Sequence, residues 1–280
     1  MALFSLLERN IPFFRDTVRP ALDGACDGVQ EGLRSLVGEK SAVAFRFCDF
    51  VEGAWLTIEL TVLAVAIGFL FAVPVALARL SRNPLLRWPA FGFMFYFRGT
   101  PLLVQIFLIY YGAGQFVAEL KSVGLWDGFF REAYFCAVLT LVLNTTAYSA
   151  EIIRGGILGV PFGEIEAARA YGMSGVKLYW RIILPKAARV ALPAYTNEVV
   201  FIFQATSLVS VITLLDLTGI ARDVISDTFR TFEVWIFVGL TYLCISYLIL
   251  YGFKRLERRL MRHLQRHSER TSVPRVSHAG

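Results

Sequence analysis

Long apolar stretches separated by short polar segments fill the chain after its first fifty residues. A helix that crosses a membrane needs about 20 mostly apolar residues. Five stretches are long enough, and they predict membrane-spanning helices over about 54–80, 88–112, 133–158, 191–215 and 234–253. The second is interrupted by the sequence RGTP at 98–101, and the fourth by Glu198 and Gln204. We therefore predict an all-α polytopic membrane protein with about five transmembrane helices.

The composition supports a membrane protein and changes how the net charge is interpreted. Hydrophobic residues make up 56% of the 280 and charged residues 18%, whereas soluble domains have about 45–50% apolar and about 25% charged residues. A net charge of +6 would suit a nucleic-acid partner, but the basic residues lie between apolar stretches and in the tail, as in membrane proteins. We predict contact with membrane lipid and none with nucleic acid. The three histidines lie in the tail and the four cysteines form no CxxC pair, so we expect no metal site and no catalytic residue.

Loop charges predict the orientation of the spans. Basic residues dominate two connections and the tail: Arg79, Arg82 and Arg87; Arg169, Lys177, Arg181, Lys186 and Arg189; and Lys254, Arg255, Arg258, Arg259 and Arg262. The other connections carry acids, at Glu119, Asp127 and Glu132 and at Asp216, Asp223, Asp227 and Glu233. Because cytoplasmic loops are enriched in Lys and Arg, we predict an N-terminus outside and a C-terminus in the cytoplasm. The chain then divides into an N-terminal extracytoplasmic segment of open role (1–50), a transmembrane domain (51–258) and a cytoplasmic basic tail (259–280).

The N-terminal segment leaves structural alternatives open. Apolar residues recur in it at helical spacing, as expected of an interfacial amphipathic helix or of an ordinary surface helix. They are Leu3, Leu7, Ile11, Phe14 and Val18. Cys26 and Cys48 are able to pair if the segment lies outside the cytoplasm. Cys136 and Cys244 fall within apolar stretches and are interpreted as small core residues.

The connection between the third and fourth spans has too much pattern for a simple linker. Its sequence predicts a short helix over 164–171 that Gly172 stops. Ser174 is placed to cap a second helix, which would run to Leu184 before Pro185. Two short helices joined by a tight turn would form a compact knob on the cytoplasmic face. Such a knob is a natural docking element for a partner protein.

The residues that make this connection recognisable are Glu166, Ala167, Ala168, Gly172, Ile182, Leu184 and Pro185. In these residues the connection resembles the EAA loop of binding-protein-dependent ABC importer permeases. The resemblance implies that the short helix docks on a separate ATPase subunit and transmits the closure of that subunit to the pore. The chain itself has no GxxxxGK[ST] phosphate-binding loop. It is therefore expected to be a transporter subunit without a cofactor and not an enzyme, while the partner ATPase uses ATP and magnesium.

Four further segments are similar to the polar amino-acid branch of that family, in particular to the M subunit of histidine, arginine/ornithine and opine permeases. They are RGTPL at 98–102, NTTAY at 144–148 followed by Glu151, LPAYTNE at 192–198 and TSL at 206–208. The resemblance spans about 50–267 and implies a polar, cationic amino acid or opine as substrate. It also implies a pore of two permease chains, identical or related, with two ATPase copies and an external amino-acid-binding protein, in the cell inner membrane.

Ionisable residues inside membrane spans are costly and usually face a bundle interior or an aqueous path. The candidates for a substrate path are Glu198, Asn197, Arg98, Thr100, Glu151, Thr206 and Ser207. A carboxylate such as Glu198 suits an ammonium group of the substrate. Arg98, beside the predicted helix break at Pro101, suits a substrate carboxylate, since broken helices also expose backbone dipoles.

The same side chains also have purely structural alternatives. Arg98 would pair with Glu59 or with Glu151. Glu151 would pair with Arg154, three residues further along the helix. The hydroxyl groups at 206 and 207 would form hydrogen bonds to neighbouring helices. The sequence alone leaves these alternatives open.

Two other functions compete with that of an importer subunit. A secondary transporter driven by an ion gradient would have inverted repeats with two broken helices, whereas one clear break, at 98–101, is evident. A membrane-embedded enzyme would need clustered His, Cys or acidic residues at metal-ligand or nucleophile spacing, and its histidines would not all lie in the tail. The sequence favours the importer subunit over both.

Overall fold

The computed structural model describes residues 19–37 and 41–271 of the protein. The described residues are largely helical and contain no strand, which confirms the all-α prediction. In chain order the α-helices are α1 (Arg19–Val37), α2 (Ala42–Phe45), α3 (Phe47–Leu80), α4 (Pro84–Gly99), α5 (Leu102–Ala113), α6 (Val117–Ser122), α7 (Ala133–Leu158), α8 (Phe162–Ala170), α9 (Gly175–Leu178), α10 (Leu184–Ala205), α11 (Leu217–Thr228) and α12 (Thr231–Thr271). The helix predicted from the apolar spacing over 3–18 lies outside the described residues, as does the end of the predicted tail.

Five segments of the described chain are long and apolar enough to cross a membrane, as predicted. They are Phe47–Leu80, Leu102–Ser122, Ala133–Leu158, Gly175–Ile212 and Thr231–Arg259, called below the first to fifth spans. The third span is the most buried of the five and packs mainly against the first and the fourth. In the main apolar core, Leu141 of the third span belongs to the same cluster as Leu60 of the first and Ile202 of the fourth. The bundle is therefore built around the third span.

The predicted second span is two helices, because the chain breaks at Thr100 and Pro101. Helix α4 ends at Gly99 and α5 begins at Leu102. Proline lacks an N–H group and forces the preceding residue out of the helical region. Thr100 accordingly has an extended backbone, with φ −113° and ψ 145°. The break predicted at 98–101 is confirmed, and the span itself comes from the second half of the predicted stretch.

The fourth span begins earlier than predicted, at Gly175 instead of about 191. Helix α9 continues through a π-helical turn, Tyr179–Ile183, directly into α10. The prediction that Pro185 follows the end of a separate helix is wrong. Pro185 lies in the first turn of α10, where a missing N–H group is tolerated. Ser174 occupies the N-cap position of α9, as predicted, but its side chain makes no capping hydrogen bond.

The third and fourth spans cross closely at Gly156. A Cβ atom at this position would lie 2.7 Å from the backbone oxygen of Ala187 and 2.9 Å from the Cβ of Ala191. We expect Gly156→Val to lower the melting temperature of the detergent-purified chain, since overpacking costs about 1–3 kcal/mol. Gly155→Val is the matched control, because a Cβ there meets nothing within 4 Å. Equal losses in the two variants would contradict a tight crossing at Gly156.

Candidate functional site

A buried network of polar side chains forms hydrogen bonds across the helix break between α4 and α5. Gln105 is 1% exposed, and its amide nitrogen donates to the backbone oxygens of Phe97 at 2.8 Å and Thr100 at 3.0 Å. Asn144 of the third span donates to the side-chain oxygen of Gln105 at 3.1 Å. Gln105 thus satisfies carbonyl groups that the break leaves without helical partners. The sequence analysis did not single out Gln105, although one amide in an apolar stretch was a signal for it.

A charged cavity of 410 Å³ lies next to this break. It is lined by Arg79, Phe91, Met94, Phe95, Arg98, Gly99, Glu151 and Arg154. Three guanidinium groups therefore surround one carboxylate, which leaves a local excess of positive charge. This excess suits a ligand that carries a carboxylate.

The structure resolves the open pairing alternatives around the cavity. Arg154 donates to both oxygens of Glu151, at 2.9 and 2.5 Å. Arg98 lies 3.6 Å from the same carboxylate, and its guanidinium sits over the ring of Tyr148 at 5.6 Å. The carboxylate of Glu59 instead accepts a hydrogen bond from Tyr134. Arg98 is therefore paired with Glu151 and is 40% exposed at its side chain.

Glu198 lies inside the fourth span with an incompletely paired carboxylate. The residue is 6% exposed, and its Oε1 atom has no hydrogen-bond partner among the described residues. Arg98 supplies a positive charge that acts on this carboxylate. A buried carboxylate without full hydrogen bonding costs free energy, so this oxygen is available to a donor group. The neighbouring Asn197 is exposed.

The hydroxyl groups at the end of the fourth span are used within their own helix. Thr206 donates to the backbone oxygen of Phe203 at 2.7 Å, and Ser207 donates to that of Gln204 at 2.8 Å. The structural alternative of bonds to neighbouring helices is therefore not seen for Ser207, whereas Thr206 also has a side-chain hydrogen bond with Tyr242 of the fifth span, as that alternative predicted. Short hydroxyl side chains reach the carbonyl groups of the preceding turn most easily. Their place in a substrate path stays a prediction.

The loop after the third span forms a compact knob around α8. Its small core contains Val160, Ala168, Leu178, Ile183 and Ala187. Glu166, Ala167, Gly172, Leu184 and Pro185 are exposed, and Ile182 is half-buried. Gly172 has φ +77°, which favours glycine in the turn that ends α8. The predicted short helix is thereby confirmed, with its motif residues divided between the loop core and the loop surface.

Aromatic side chains surround the exposed part of this knob. Phe162 is 66% exposed, Tyr171 87% and Trp180 70%. Large apolar groups at such exposure, beside the acidic Glu166, are typical of a protein interface. The sequence analysis did not select these three residues, although aromatic residues in an otherwise polar connection were a signal.

The knob is attached directly to the fourth span. Glu164 of α8 forms an ion pair with Lys186 in the first turn of α10. The helix that begins at Gly175 continues without interruption to Ile212 and carries Glu198. The knob and the buried carboxylate of Glu198 therefore lie on one helical segment.

A helical membrane bundle with a charged cavity beside a helix break and an exposed loop knob is the arrangement expected of the membrane subunit of a transporter. Residues 64–262 match the family described as the binding-protein-dependent transport system inner membrane component, and the chain belongs to this family. It is 52% identical over 193 residues to the nopaline transport system permease protein NocM of Agrobacterium fabrum, covering 69% of this chain and 80% of that protein. It is 45% identical over 232 residues to the histidine/lysine/arginine/ornithine transport system permease protein HisM of Salmonella typhimurium, covering 82% and 95%.

A solved structure of an amino acid ABC transporter with histidines has a similar fold. The TM-score is 0.69 at 36% sequence identity, covering 76% of this chain and 94% of that chain. An inward-facing MetNI methionine ABC transporter, with a TM-score of 0.61 at 19% identity, shares the fold. The chain is thus a membrane-embedded permease subunit of an ABC importer and not an enzyme. Membership of the family implies the inner membrane, a partner ATPase and a binding protein.

Proposed function

We propose that this permease carries an amino acid or opine that has both a cationic group and a carboxylate. The observation that carries the proposal is a positively charged cavity beside the helix break that precedes the second span, together with the buried, incompletely paired carboxylate of Glu198 in the fourth span. The similar permeases are named for nopaline and for histidine, lysine, arginine and ornithine. A further relative, 50% identical, is the octopine permease OccM of Rhizobium meliloti. These names agree with a zwitterionic or cationic cargo.

In this proposal the two ends of the cargo meet different helices. Arg98 exchanges part of its contact with Glu151 for the cargo carboxylate, beside the half-buried Thr100 at the break. Glu198 takes the ammonium or guanidinium group. Asn197, Thr206 and Ser207 are further candidates for the path along the fourth span. Arg154 keeps Glu151 neutralised when Arg98 moves, since it holds both carboxylate oxygens.

A second permease chain is proposed to complete the pore. The cavity is open at the surface of the bundle, where the side chain of Arg98 is 40% exposed. Charged groups in contact with lipid cost several kcal/mol, so another polypeptide has to cover this side in the membrane. Helix α4 presents Phe95, 70% exposed, and Trp88, 63% exposed, next to the opening. A second copy of this chain or a related permease, with a charged cavity of its own, fits that surface.

We propose further that each permease docks one ATPase subunit on the exposed face around Glu166, which gives two ATPase copies per importer. These subunits bind ATP and magnesium, and this chain holds neither. The continuous helix from Gly175 to Ile212 would carry the movement of the knob to the cavity. The loop charges support an N-terminus outside and a C-terminus in the cytoplasm.

Glu198→Gln tests the cargo site with little change in shape. We expect the KM for uptake of a cationic amino acid or opine to rise about tenfold or more, because a hydrogen bond to a charged group contributes about 1.5–3 kcal/mol. The measurement is uptake into vesicles containing the permease, the ATPase and the binding protein. Glu52→Gln is the matched control, since Glu52 is exposed at the start of the first span. Unchanged uptake kinetics with Glu198→Gln would remove this residue from the path.

A further inference from the structure

Two of the four cysteines meet where the N-terminal helix touches the first span. Cys26 lies in α1 and Cys48 in the first turn of α3, with their Cα atoms 5.7 Å apart and their sulfur atoms bonded. Cys136 and Cys244 are free and lie within the third and fifth spans; Cys136 is buried, as predicted, but Cys244 is exposed, so its interpretation as a core residue is wrong. Cys26 and Cys48, unlike the two free cysteines, lie at one end of the helical bundle.

Cys48 is held firmly against the rest of the bundle. Two residues before it, Arg46 forms ion pairs with Asp227 at 2.8 Å and Asp223 at 3.0 Å. Two residues after it, the buried ring of Phe50 packs on Phe237 of the fifth span with centroids 5.1 Å apart. This end of α3 is therefore a fixed attachment point.

The described glycine face of helix α1 makes no close contact with the bundle. A Cβ added at Gly24, Gly28 or Gly32 would meet nothing within 4 Å, and Val29 is 50% exposed. The side-chain oxygen of Gln30 accepts one hydrogen bond from the backbone N–H of Cys48, at 3.2 Å. Three glycines in one helix are also unfavourable for helix formation. Among the contacts described for α1, a covalent link is the strongest constraint on its position.

We propose that Cys26 and Cys48 form a structural disulfide outside the cytoplasm, and that this bond fixes α1 to the outer end of the bundle. The inference rests on the proposed orientation, because disulfides persist in oxidising compartments and are rare in the cytosol. Formation removes two protons and two electrons from the thiols. An extracytoplasmic protein disulfide accepts the electrons. One cysteine thiolate attacks it to form a mixed disulfide, the second cysteine thiolate attacks the first cysteine's sulfur in that mixed disulfide, and the oxidant leaves as a dithiol.

Counting free thiols in the full chain tests this bond directly. Native membranes containing the Cys136→Ser, Cys244→Ser variant are quenched with acid, denatured and treated with a maleimide polymer, with or without prior reduction. We expect no polymer addition before reduction and two additions after it. Two additions before reduction would overturn the proposal, and one addition would show that a cysteine pairs with another molecule instead.

A second variant separates the bond from the orientation on which it rests. Ser35 is exposed in α1, and Ser35→Cys in a chain with the four native cysteines replaced by Ser provides a single label site. A membrane-impermeant maleimide added to intact spheroplasts is expected to label it. Labelling from outside, with Cys26 and Cys48 found reduced, would overturn the disulfide and leave the orientation supported. Labelling only after lysis would overturn the orientation and the disulfide together, while uptake by the unmodified chain in the same cells tests the transport function separately.

Discussion

We expect Glu166→Lys to lower ATP-driven uptake at least tenfold, which corresponds to about 1.4 kcal/mol or more of lost coupling free energy. Glu166 is exposed on α8, whereas Ala168 behind it is buried in the core of the knob. The substitution therefore changes the surface offered to the ATPase and leaves the packing of the loop intact. Like charges placed together across an interface cost several kcal/mol, so the ATPase should also be lost from the purified complex.

The measurements are uptake into cells, the amount of the chain in the membrane and the amount of ATPase that co-purifies with it. Glu257→Lys provides the same change of charge in α12, at the end of the fifth span that lies on the basic side of the bundle. This control should retain uptake and ATPase. Wild-type uptake with Glu166→Lys would show that α8 is not the docking element.

Arg98→Ala is expected to reduce transport more than any other single change around the cavity. The side chain lies 3.6 Å from Glu151 and over the ring of Tyr148, and it is the group proposed to receive the cargo carboxylate. Loss of a charged hydrogen bond of about 1.5–3 kcal/mol raises KM about tenfold to a hundredfold. Glu151 keeps its two contacts with Arg154, so the fold should not depend on Arg98.

Two further variants make this test specific. Arg98→Lys retains the charge but loses the planar fork that binds a carboxylate with two hydrogen bonds, and it should recover part of the uptake. Arg87→Ala removes an exposed arginine from the other end of the same helix, α4, and should leave KM unchanged. If Arg98→Ala and Arg87→Ala have the same KM, the cavity at the broken span does not bind the cargo.

The number of spans and the helix break were predictable because both depend on short stretches of sequence. Membrane insertion depends on the apolar content of about 20 consecutive residues, and the break at Thr100 follows from the chemistry of Pro101 alone. The turn after α8 is another local case. Gly172 takes φ +77°, a conformation that costs other residues free energy.

Other features were not predictable because they depend on contacts between distant segments. Pro185 is compatible with the end of one helix or with the first turn of the next. The structure has it in a first turn, where the neighbouring Ile183 and Ala187 pack in the core of the knob. The side-chain oxygen of Gln105 finds its donor in Asn144, 39 residues away. The choice of Arg98 between Glu59 and Glu151 likewise depends on which helices are neighbours.

The sequence by itself determined the class of fold, the five spans, the docking motif and the resemblance to importer permeases, since these are encoded in local composition and spacing. The tertiary structure decided which charges meet. It placed three arginines around Glu151, left one oxygen of Glu198 without a partner among the described residues, and brought Cys26 to Cys48. The physical reason is that electrostatic and covalent partners are set by distances in space, and helix packing alone brings residues far apart in the chain within a few ångströms.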